Sequence, residues 1–589
     1  MAEDLFRLFS ARVKDLSKYL FSITALLFLI SFIYYLGFTL TEETKIFFTS
    51  VFRIIFLILA ISKFIPEFIS LEFKGFFTTI FRVLFLLLTV GVFYSNFILE
   101  GSDKSFWSIL NGNTIILSTI FLLCLSEIKR LFDNITNFNI PPAFVFSISF
   151  LIIIVAGTGL LMLPNSHTVP ISLIDSFFTS VSAVCVTGLV VVDTSATFTQ
   201  LGKIIILSLI QIGGLGIMTF TGFFSYIFTS RATFQQRLLL KDLFSSNSLS
   251  NLFKILTKII LFTFLIEIVG SLIIFINLDE NTPDRILFSA FHSISAFCNA
   301  GFSTISDGMY SSVLRDNYGF QFVIAILIIL GGIGFPVLLK IYALAKHLFL
   351  VFIRRIRRKR KPVLADKFEV GDKIVLLTTL SLIIAGSLLY YFFEKGNNAE
   401  EMGNFKKMFT AFFNSVTART AGFNINDITR FGYPAVFLTI LLMWIGASPG
   451  STGGGIKTTT FALALKVAWS NIRGKQVVEI YNREISSGTI SRVLSIVILS
   501  ILFIVSGFFC LLLTEPDKNP VYLLYESVSA FSTVGLSIAG TSSFSAAGKL
   551  ILIFLMFIGR VGPLTLLTGF LISGSKKYYK FPETAIPIN

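Results

Sequence analysis

Long apolar runs separated by short polar segments set the rhythm of the chain. Runs near residues 19 to 38, 47 to 64, 76 to 98 and 113 to 127 read as helices crossing a hydrocarbon layer of roughly 30 Å at about 1.5 Å per residue. They form an N-terminal block of four spans. From Pro141 onward the unit changes to a long span, a short semi-polar stretch, a Gly-bearing segment and a second long span, and it occurs four times. The predicted spans are 143 to 163 and 202 to 228, 252 to 277 and 318 to 347, 369 to 393 and 433 to 468, then 491 to 514 and 547 to 573. The stretches SLIDSFFTSVSAV, RILFSAFHSISAF, FKKMFTAFFNSVTA and VYLLYESVSAF are predicted as half-helices entering from the outer side.

Composition makes the membrane assignment general. Of 589 residues, 54% are hydrophobic and 14% charged, against roughly 25% charged in a soluble chain, which excludes an ordinary soluble enzyme. The net charge of +15 would suit nucleic acid on a soluble face, but its placement argues otherwise. Bases follow each second span: Arg231, Arg237 and Lys241; Arg354, Arg355 and the run through Lys361; Lys466, Arg473 and Lys475; Lys576, Lys577 and Lys580. Acids follow the later first spans: Asp279, Glu280 and Asp284; Glu394, Glu400 and Glu401; Glu515 and Asp517. The positive-inside rule makes the basic set cytoplasmic. Four N-terminal spans return the chain to the side of Arg7, Arg12, Lys14 and Lys18, so both termini are expected in the cytoplasm. The RRIRRKRK run reads as a loop near anionic membrane lipid, and no nucleic-acid partner is expected. Cys124, Cys185, Cys298 and Cys510 lack CxxC spacing, and His167, His292 and His347 lack ligand spacing; no disulfide framework and no structural zinc are expected. The N-terminus is too charged for a cleaved signal, and its first helix is expected to stay.

The Gly-bearing segments align as AVCVTGLVV, AFCNAGFST, TARTAGFNI and AFSTVGLSI, with Gly188, Gly301, Gly422 and Gly535 in one column, 113, 121 and 113 residues apart. Such spacing marks an internal repeat. An ion entering a membrane must exchange hydration oxygens for fixed ones, and rings of backbone carbonyls supply them. Turning successive carbonyls toward one axis requires left-handed dihedrals, which glycine adopts without steric cost. The inward C-terminal ends of the half-helices would favour a cation there. The alternative is helix packing through small residues, which suits one glycine better than four in register. The fold class expected is an all-α polytopic membrane protein: four pseudo-repeats of helix, pore half-helix, filter strand and helix around one pore, plus about four extra N-terminal transmembrane helices. The boundaries expected are 1–140 for the N-terminal extension, 141–230 and 231–348 for repeats 1 and 2, and 349–368 for a basic linker. Repeats 3 and 4 follow at 369–475 and 476–575, and a cytoplasmic tail at 576–589.

The strands VTGL, NAGF, TAGF and TVGL, together with QIGGLGIMTF, GSTGGGIKT and FIGRVGPLT, resemble the Ktr/Trk/HKT superfamily of potassium transporters. The resemblance is nearest to the bacterial Ktr and Trk membrane subunits, covers about residues 141 to 575, and leaves out the first 140. It implies uptake of K⁺, or Na⁺ in some members, across a bacterial cytoplasmic membrane, driven by membrane potential. It places the selectivity filter at Val186, Thr187, Gly188 and Leu189; Asn299, Ala300, Gly301 and Phe302; Thr420, Ala421, Gly422 and Phe423; and Thr533, Val534, Gly535 and Leu536, with K⁺ at their carbonyls. Members using Na⁺ often carry Ser in the first-repeat glycine position, so Gly188 favours K⁺. The resemblance also implies a homodimer with one pore per subunit and a cytosolic nucleotide-binding regulator of the RCK (KTN) type. No GxGxxG follows a strand in this chain, so that regulator is expected on a separate chain. Neither an organic cofactor nor an enzymatic reaction is expected here.

Inside the second span of repeat 3, Gly446 to Lys457 holds Pro449 among glycines and is predicted to unwind within the membrane. Its likeness to a phosphate-binding P-loop fails, because Ile456 separates Gly455 from Lys457 and no strand precedes it. The resemblance makes Gly450, Ser451, Thr452, Gly453, Gly454, Gly455 and Lys457 a gate beneath the filter, with Arg560 a positive barrier beside it. A passive kink is the alternative. Arg560 within an apolar span costs roughly 2.5–3.5 kcal/mol on insertion scales and is expected to face protein; an ion pair with Glu267 or Glu526 is the other reading. Those carboxylates equally suit buried hydrogen bonds to half-helices. Arg419, in the column of Cys185, Cys298 and Ser532, is expected behind its strand, and His292 as a packed, hydrogen-bonded residue. Competing functions are a membrane component of a primary pump, a Na⁺-coupled cation transporter, and a non-transporting receptor. A pump would need carboxylate relays or an ATPase domain, neither evident in the sequence, and a receptor leaves the aligned strands unexplained.

Overall fold

The computed structural model describes residues 2–70, 142–216, 252–356, 368–394, 403–475 and 477–570, except 281, 283, 307, 312 and 313. The third and fourth N-terminal spans, Arg231, Arg237, Lys241, residues 357–361, Glu400, Glu401, Lys576, Lys577 and Lys580 lie outside these described residues.

The N-terminal helices Ala2–Gly37 and Glu42–Ser70 form a hairpin, with Glu42 and Glu43 in the first turn of the second, where the helix dipole favours acids. Phe28, Phe52, Phe56 and Leu59 give the hairpin its own buried seam. It meets the rest of the chain through the Asn165 Nδ2 donation to the Leu36 carbonyl at 3.0 Å.

Four similar units follow. Their first spans are Pro142–Leu161, Leu252–Asn277, Val370–Phe393 and Ser487–Thr514, and their half-helices Leu173–Val184, Arg285–Phe297, Asn404–Thr417 and Pro520–Phe531. Second spans begin as Gln200–Leu215, Tyr318–Ile333, Tyr433–Trp444 and Ala546–Val561. Three of these starts are fixed by side-chain caps: Thr199 accepts from Gly202 N–H, Asn317 from Phe320 N–H, and Ser545 from Gly548 N–H, the residue types that satisfy orphan N–H groups. Five described helices have segments long and apolar enough to cross a membrane: Tyr19–Gly37, Leu256–Asn277, Phe335–Ile353, Val370–Phe393 and Ser487–Thr514. Side chains such as Ile276 and Leu513 point outward at 77% and 84% exposure. That surface is stable against lipid tails and unstable against water.

The second spans were expected to run unbroken in repeats 1, 2 and 4; the structure corrects this in repeats 2 and 4, and in repeat 1 the described helix ends at Leu215. Gly216, Gly334 and Gly562 take φ of 76°, 99° and 92° and end their helices. Helix resumes at Phe335–Ile356 and Pro563–Phe570, and in repeat 3 at Thr458–Ile472 after the stretch following Trp444. A left-handed glycine closes a helix, and proline readily opens the next; Pro563 sits at such a restart.

Small residues bring the layers together. A Cβ at Gly213, Gly331 or Gly559 would collide with the carbonyl oxygen of Val184, Phe297 or Phe531, the closing residue of each half-helix in repeats 1, 2 and 4. Polar contacts cross every seam between neighbouring units. Gln200 Nε2 donates to Asp284 at 2.8 Å, Lys406 pairs with Asp316 at 2.6 Å, Trp444 Nε1 donates to Ser500 at 3.2 Å, and Lys549 pairs with Asp175 at 2.6 Å. The last contact joins repeat 4 to repeat 1, so the units close into a ring.

This packing predicts that Gly331→Val, whose Cβ meets backbone and not a movable side chain, destabilises the protein by roughly 1–3 kcal/mol or more. Thermal unfolding in detergent should show a clear fall in midpoint, whereas Gly371→Ala, with nothing within 4 Å of its Cβ, should leave it unmoved.

Candidate functional site

At the centre of the ring, each half-helix gives way to a short non-helical strand. In every strand two positions are left-handed: Val186 and Gly188 at φ 57° and 90°, Asn299 and Gly301 at 59° and 68°, Thr420 and Gly422 at 69° and 78°, Thr533 and Gly535 at 51° and 92°. Left-handed φ in β-branched Val186, Thr420 and Thr533 is a true outlier, of a kind that persists only where surrounding structure enforces it. Glycines that pack helices lie within helices, and these four do not, so that alternative is excluded for them.

The strands face one another around one axis. A Cβ on Gly188 would meet the Ala300 carbonyl oxygen, on Gly301 that of Ala421, on Gly422 that of Val534, and on Gly535 that of Thr187. Each glycine therefore backs onto the next strand's carbonyl, and the cycle closes after four steps. Leu189, Phe302, Phe423 and Leu536 follow the glycines and are buried in the surrounding core, anchoring each strand outward. The half-helices end directly before this ring, which brings their partial negative ends to it.

Beneath the strands lies the unwound segment of repeat 3. Ile445 bridges Ile456 at its base, and Gly450 and Gly455 take φ of 68° and 66°. Its backbone groups find partners in repeat 2: Ser448 N–H donates to Gly332 at 3.0 Å, and the Gly450 carbonyl accepts from Phe335 N–H at 2.9 Å. The Thr452 hydroxyl donates to the Phe297 carbonyl at 3.2 Å. Cβ atoms on Gly453 and Gly454 would collide with the hydroxyls of Thr420 and Thr533, so this backbone presses against the lower ends of strands 3 and 4. Two cations grip consecutive carbonyls of the segment. Arg560 donates to the Thr452 carbonyl and, through its other terminal nitrogen, to Gly213; Lys457 Nζ donates to Gly453 at 2.6 Å. Ser451 lies in the same segment, half-buried.

Arg560 thus pairs with backbone and not with Glu267 or Glu526. Both Glu267 carboxylate oxygens accept from Gln211 Nε2, at 3.1 and 3.0 Å. Glu526 gathers the segment after strand 4, accepting from Ser537 Oγ at 2.5 Å and from the Ile538 and Ala539 N–H groups at 3.1 Å. Arg419 is buried and reaches back to the Thr379 carbonyl on its own first span at 3.5 Å. His292 joins the Phe288 carbonyl at 2.9 Å and Ser303 Oγ at 3.0 Å, with its ring against Phe288.

The sequence carried two further recurrences that were not aligned across the repeats. One is the second-span motif GGLG, GGIG and GRVG at Gly213, Gly331 and Gly559, which places Arg560 in the column of Gly214 and Gly332. The other is the half-helix ending Ser180-Val-Ser182-Ala183, Ser293-Ile-Ser295-Ala296, Ser415-Val-Thr417-Ala418 and Ser527-Val-Ser529-Ala530. Its first hydroxyl docks the half-helix on the first span in repeats 1 to 3, donating to Ile154, Glu267 and Ile383 carbonyls at 2.7, 2.7 and 3.0 Å.

Residues 111–580 match the family described as TrkH, cation transport protein. The match begins ahead of the boundary expected at residue 140. The Ktr system potassium uptake protein B of Vibrio alginolyticus is 36% identical over 452 residues, 75% of this chain and 94% of that protein. The potassium/sodium uptake protein NtpJ of Enterococcus hirae is 33% identical over 459 residues, 76% of this chain and 97% of that one. The crystal structure of the potassium transporter TrkH from Vibrio parahaemolyticus shares the fold, with a TM-score of 0.57 at 15% identity, covering 89% of this chain and 98% of that chain. Such coverage is more than residues 141–589 alone provide, so part of the N-terminal extension is shared with that fold.

Two charge-assisted hydrogen bonds, each worth about 1.5–3 kcal/mol, join Arg560 to the repeat 3 segment and to repeat 1. Hydrogen–deuterium exchange of Arg560→Ala is therefore expected to show faster exchange across residues 446–457, with the half-helices unchanged. Unaltered exchange there would mean that the segment holds its position without Arg560.

Proposed function

We propose that this chain, which belongs to the TrkH family of cation transport proteins, takes up K⁺ across a bacterial cytoplasmic membrane through the central ring of strands. It is a multi-pass membrane transport protein and not an enzyme. The observation that carries the reading is the closed cycle of four strands, each with paired left-handed residues and a glycine against its neighbour's carbonyl. Carbonyls of Thr187, Ala300, Ala421 and Val534 replace the hydration shell of an entering cation, and four half-helix C-termini stabilise its charge. Membrane potential supplies roughly 2.3 kcal/mol per charge per 100 mV, enough for about a 40-fold gradient without ATP. The names of the relatives support K⁺ as cargo, and NtpJ is named for sodium as well. The intact Gly188 favours K⁺.

The segment Gly450–Gly455 with Lys457 is the gate in this reading, and Arg560 the positive barrier that holds it closed. Unwound backbone at membrane depth is tolerated only against protein or a water-filled cavity, and a modest shift of this segment clears the path below strands 3 and 4. A cytosolic nucleotide-binding regulator of the RCK type, on a separate chain and bound near the basic segments, biases the two positions. Two copies form a homodimer with one pore each, both termini cytoplasmic.

The test is flux of K⁺ and Na⁺ in liposomes holding the purified chain, against an imposed voltage. Potential-driven K⁺ entry is expected; its absence from folded protein would sink the proposal. Gly188→Ser should lower the K⁺/Na⁺ flux ratio by about tenfold, equivalent to about 1.4 kcal/mol, because any Cβ there meets the Ala300 carbonyl. Deleting 451–455 should raise basal flux and weaken dependence on the regulator. A shortened variant with low basal flux and full regulator dependence would make the segment a passive kink.

A further inference from the structure

We infer that the second hydroxyl of the half-helix motif, at Ser182, Ser295, Thr417 and Ser529, is a positioning residue that decides which strand carbonyls face the ion and thereby sets the preference for K⁺ over Na⁺. The inference rests on the cation-filter reading above and names what holds that filter in shape.

All four hydroxyls are buried, at 0%, 0%, 2% and 0% exposure. Ser182 Oγ accepts from Gly188 N–H at 3.1 Å and donates to the Leu189 carbonyl at 2.7 Å. In a planar trans peptide the N–H and C=O point in opposite directions. Drawing Gly188 N–H toward the half-helix therefore turns the Thr187 carbonyl toward the axis, where it lies against Gly535. The second bond draws the Leu189 carbonyl off the axis. One side chain thus assigns the Thr187 carbonyl to the ion and withdraws that of Leu189, two residues on.

Each of the other repeats carries one half of this device. Ser295 donates to the Phe302 carbonyl at 2.8 Å and Thr417 to Phe423 at 2.6 Å, the positions equivalent to Leu189. Ser529 accepts from Gly535 N–H at 3.2 Å, the bond equivalent to that of Gly188. A carbonyl free to swing inward follows a smaller ion and binds Na⁺ as readily as K⁺. A carbonyl whose peptide is held by a buried hydroxyl cannot, since its release leaves an unpaired buried group.

The experiment measures the K⁺/Na⁺ flux ratio of the full chain in liposomes under imposed voltage. Ser182→Ala is expected to lower the ratio by about tenfold, the equivalent of one net hydrogen bond, and Ser182→Thr, which keeps a hydroxyl able to accept and donate, to retain it. Ser180→Ala loses a hydroxyl two residues earlier that bonds the first span; its melting temperature should fall while its ratio stays at the wild-type value. A wild-type ratio in Ser182→Ala overturns the inference, as does an equal loss in Ser180→Ala, which would mark general loosening. If Ser182→Ala does not assemble, Ser529→Ala decides in the same assay: a lowered ratio supports the inference and an unchanged one overturns it. Wild-type protein that carries no K⁺ would instead sink the transport reading, and this inference with it.

Discussion

A peptide group inside a membrane has nothing but protein, or enclosed water, to satisfy it. Four stretches of this chain leave helical geometry at one axis, and the rest of the architecture is arranged to make that tolerable. The half-helices deliver each strand to the centre, buried hydroxyls hold its turned peptides, and apolar residues such as Phe302 and Leu189 fix its outer end. Glycines in the second spans let those helices approach the half-helix ends more closely than any Cβ permits. The same constraint governs the unwound segment of repeat 3, whose carbonyls are taken by Arg560, Lys457 and the Phe335 N–H.

The four units are alike in geometry and unequal in chemistry. Where repeats 1 and 2 place Gly214 and Gly332, repeat 4 places Arg560, so one guanidinium reaches into the space below the strands and joins repeats 1, 3 and 4. Repeats 2 and 4 tie the half-helix to the residue two after the glycine, through His292 to Ser303 and Glu526 to Ser537. Val190 in repeat 1 offers no such hydroxyl. Inequality of this kind leaves the upper ring nearly four-fold while the lower side is built around one unwound segment and its cations.

What the sequence disclosed follows from which forces write themselves into residue types. Apolar length and the recurrence of Gly188, Gly301, Gly422 and Gly535 revealed the units, because hydrophobic thickness and left-handed backbone both demand particular residues. The interruptions at Gly334 and Gly562 were missed, since a glycine in a membrane span reads equally as a packing site and only its dihedral separates the two. Left-handed Val186, Thr420 and Thr533 run against their own propensity and are imposed by the ring. Arg560 was recognised as an inward-facing charge, but its partners are backbone carbonyls, which have no residue identity to read. The serine motif was legible and overlooked, hidden inside stretches already explained as half-helices.

The central claim is that four strand carbonyls converge on one axis to replace the water around a monovalent cation. Anomalous diffraction from crystals grown with Tl⁺ in place of K⁺ tests it most directly. The account predicts Tl⁺ peaks on the axis between the carbonyls of Thr187, Ala300, Ala421 and Val534, with those peaks lost when Na⁺ replaces Tl⁺. An empty axis in protein that still carries Tl⁺ across liposomes would contradict it, and would place the ion path elsewhere in the fold.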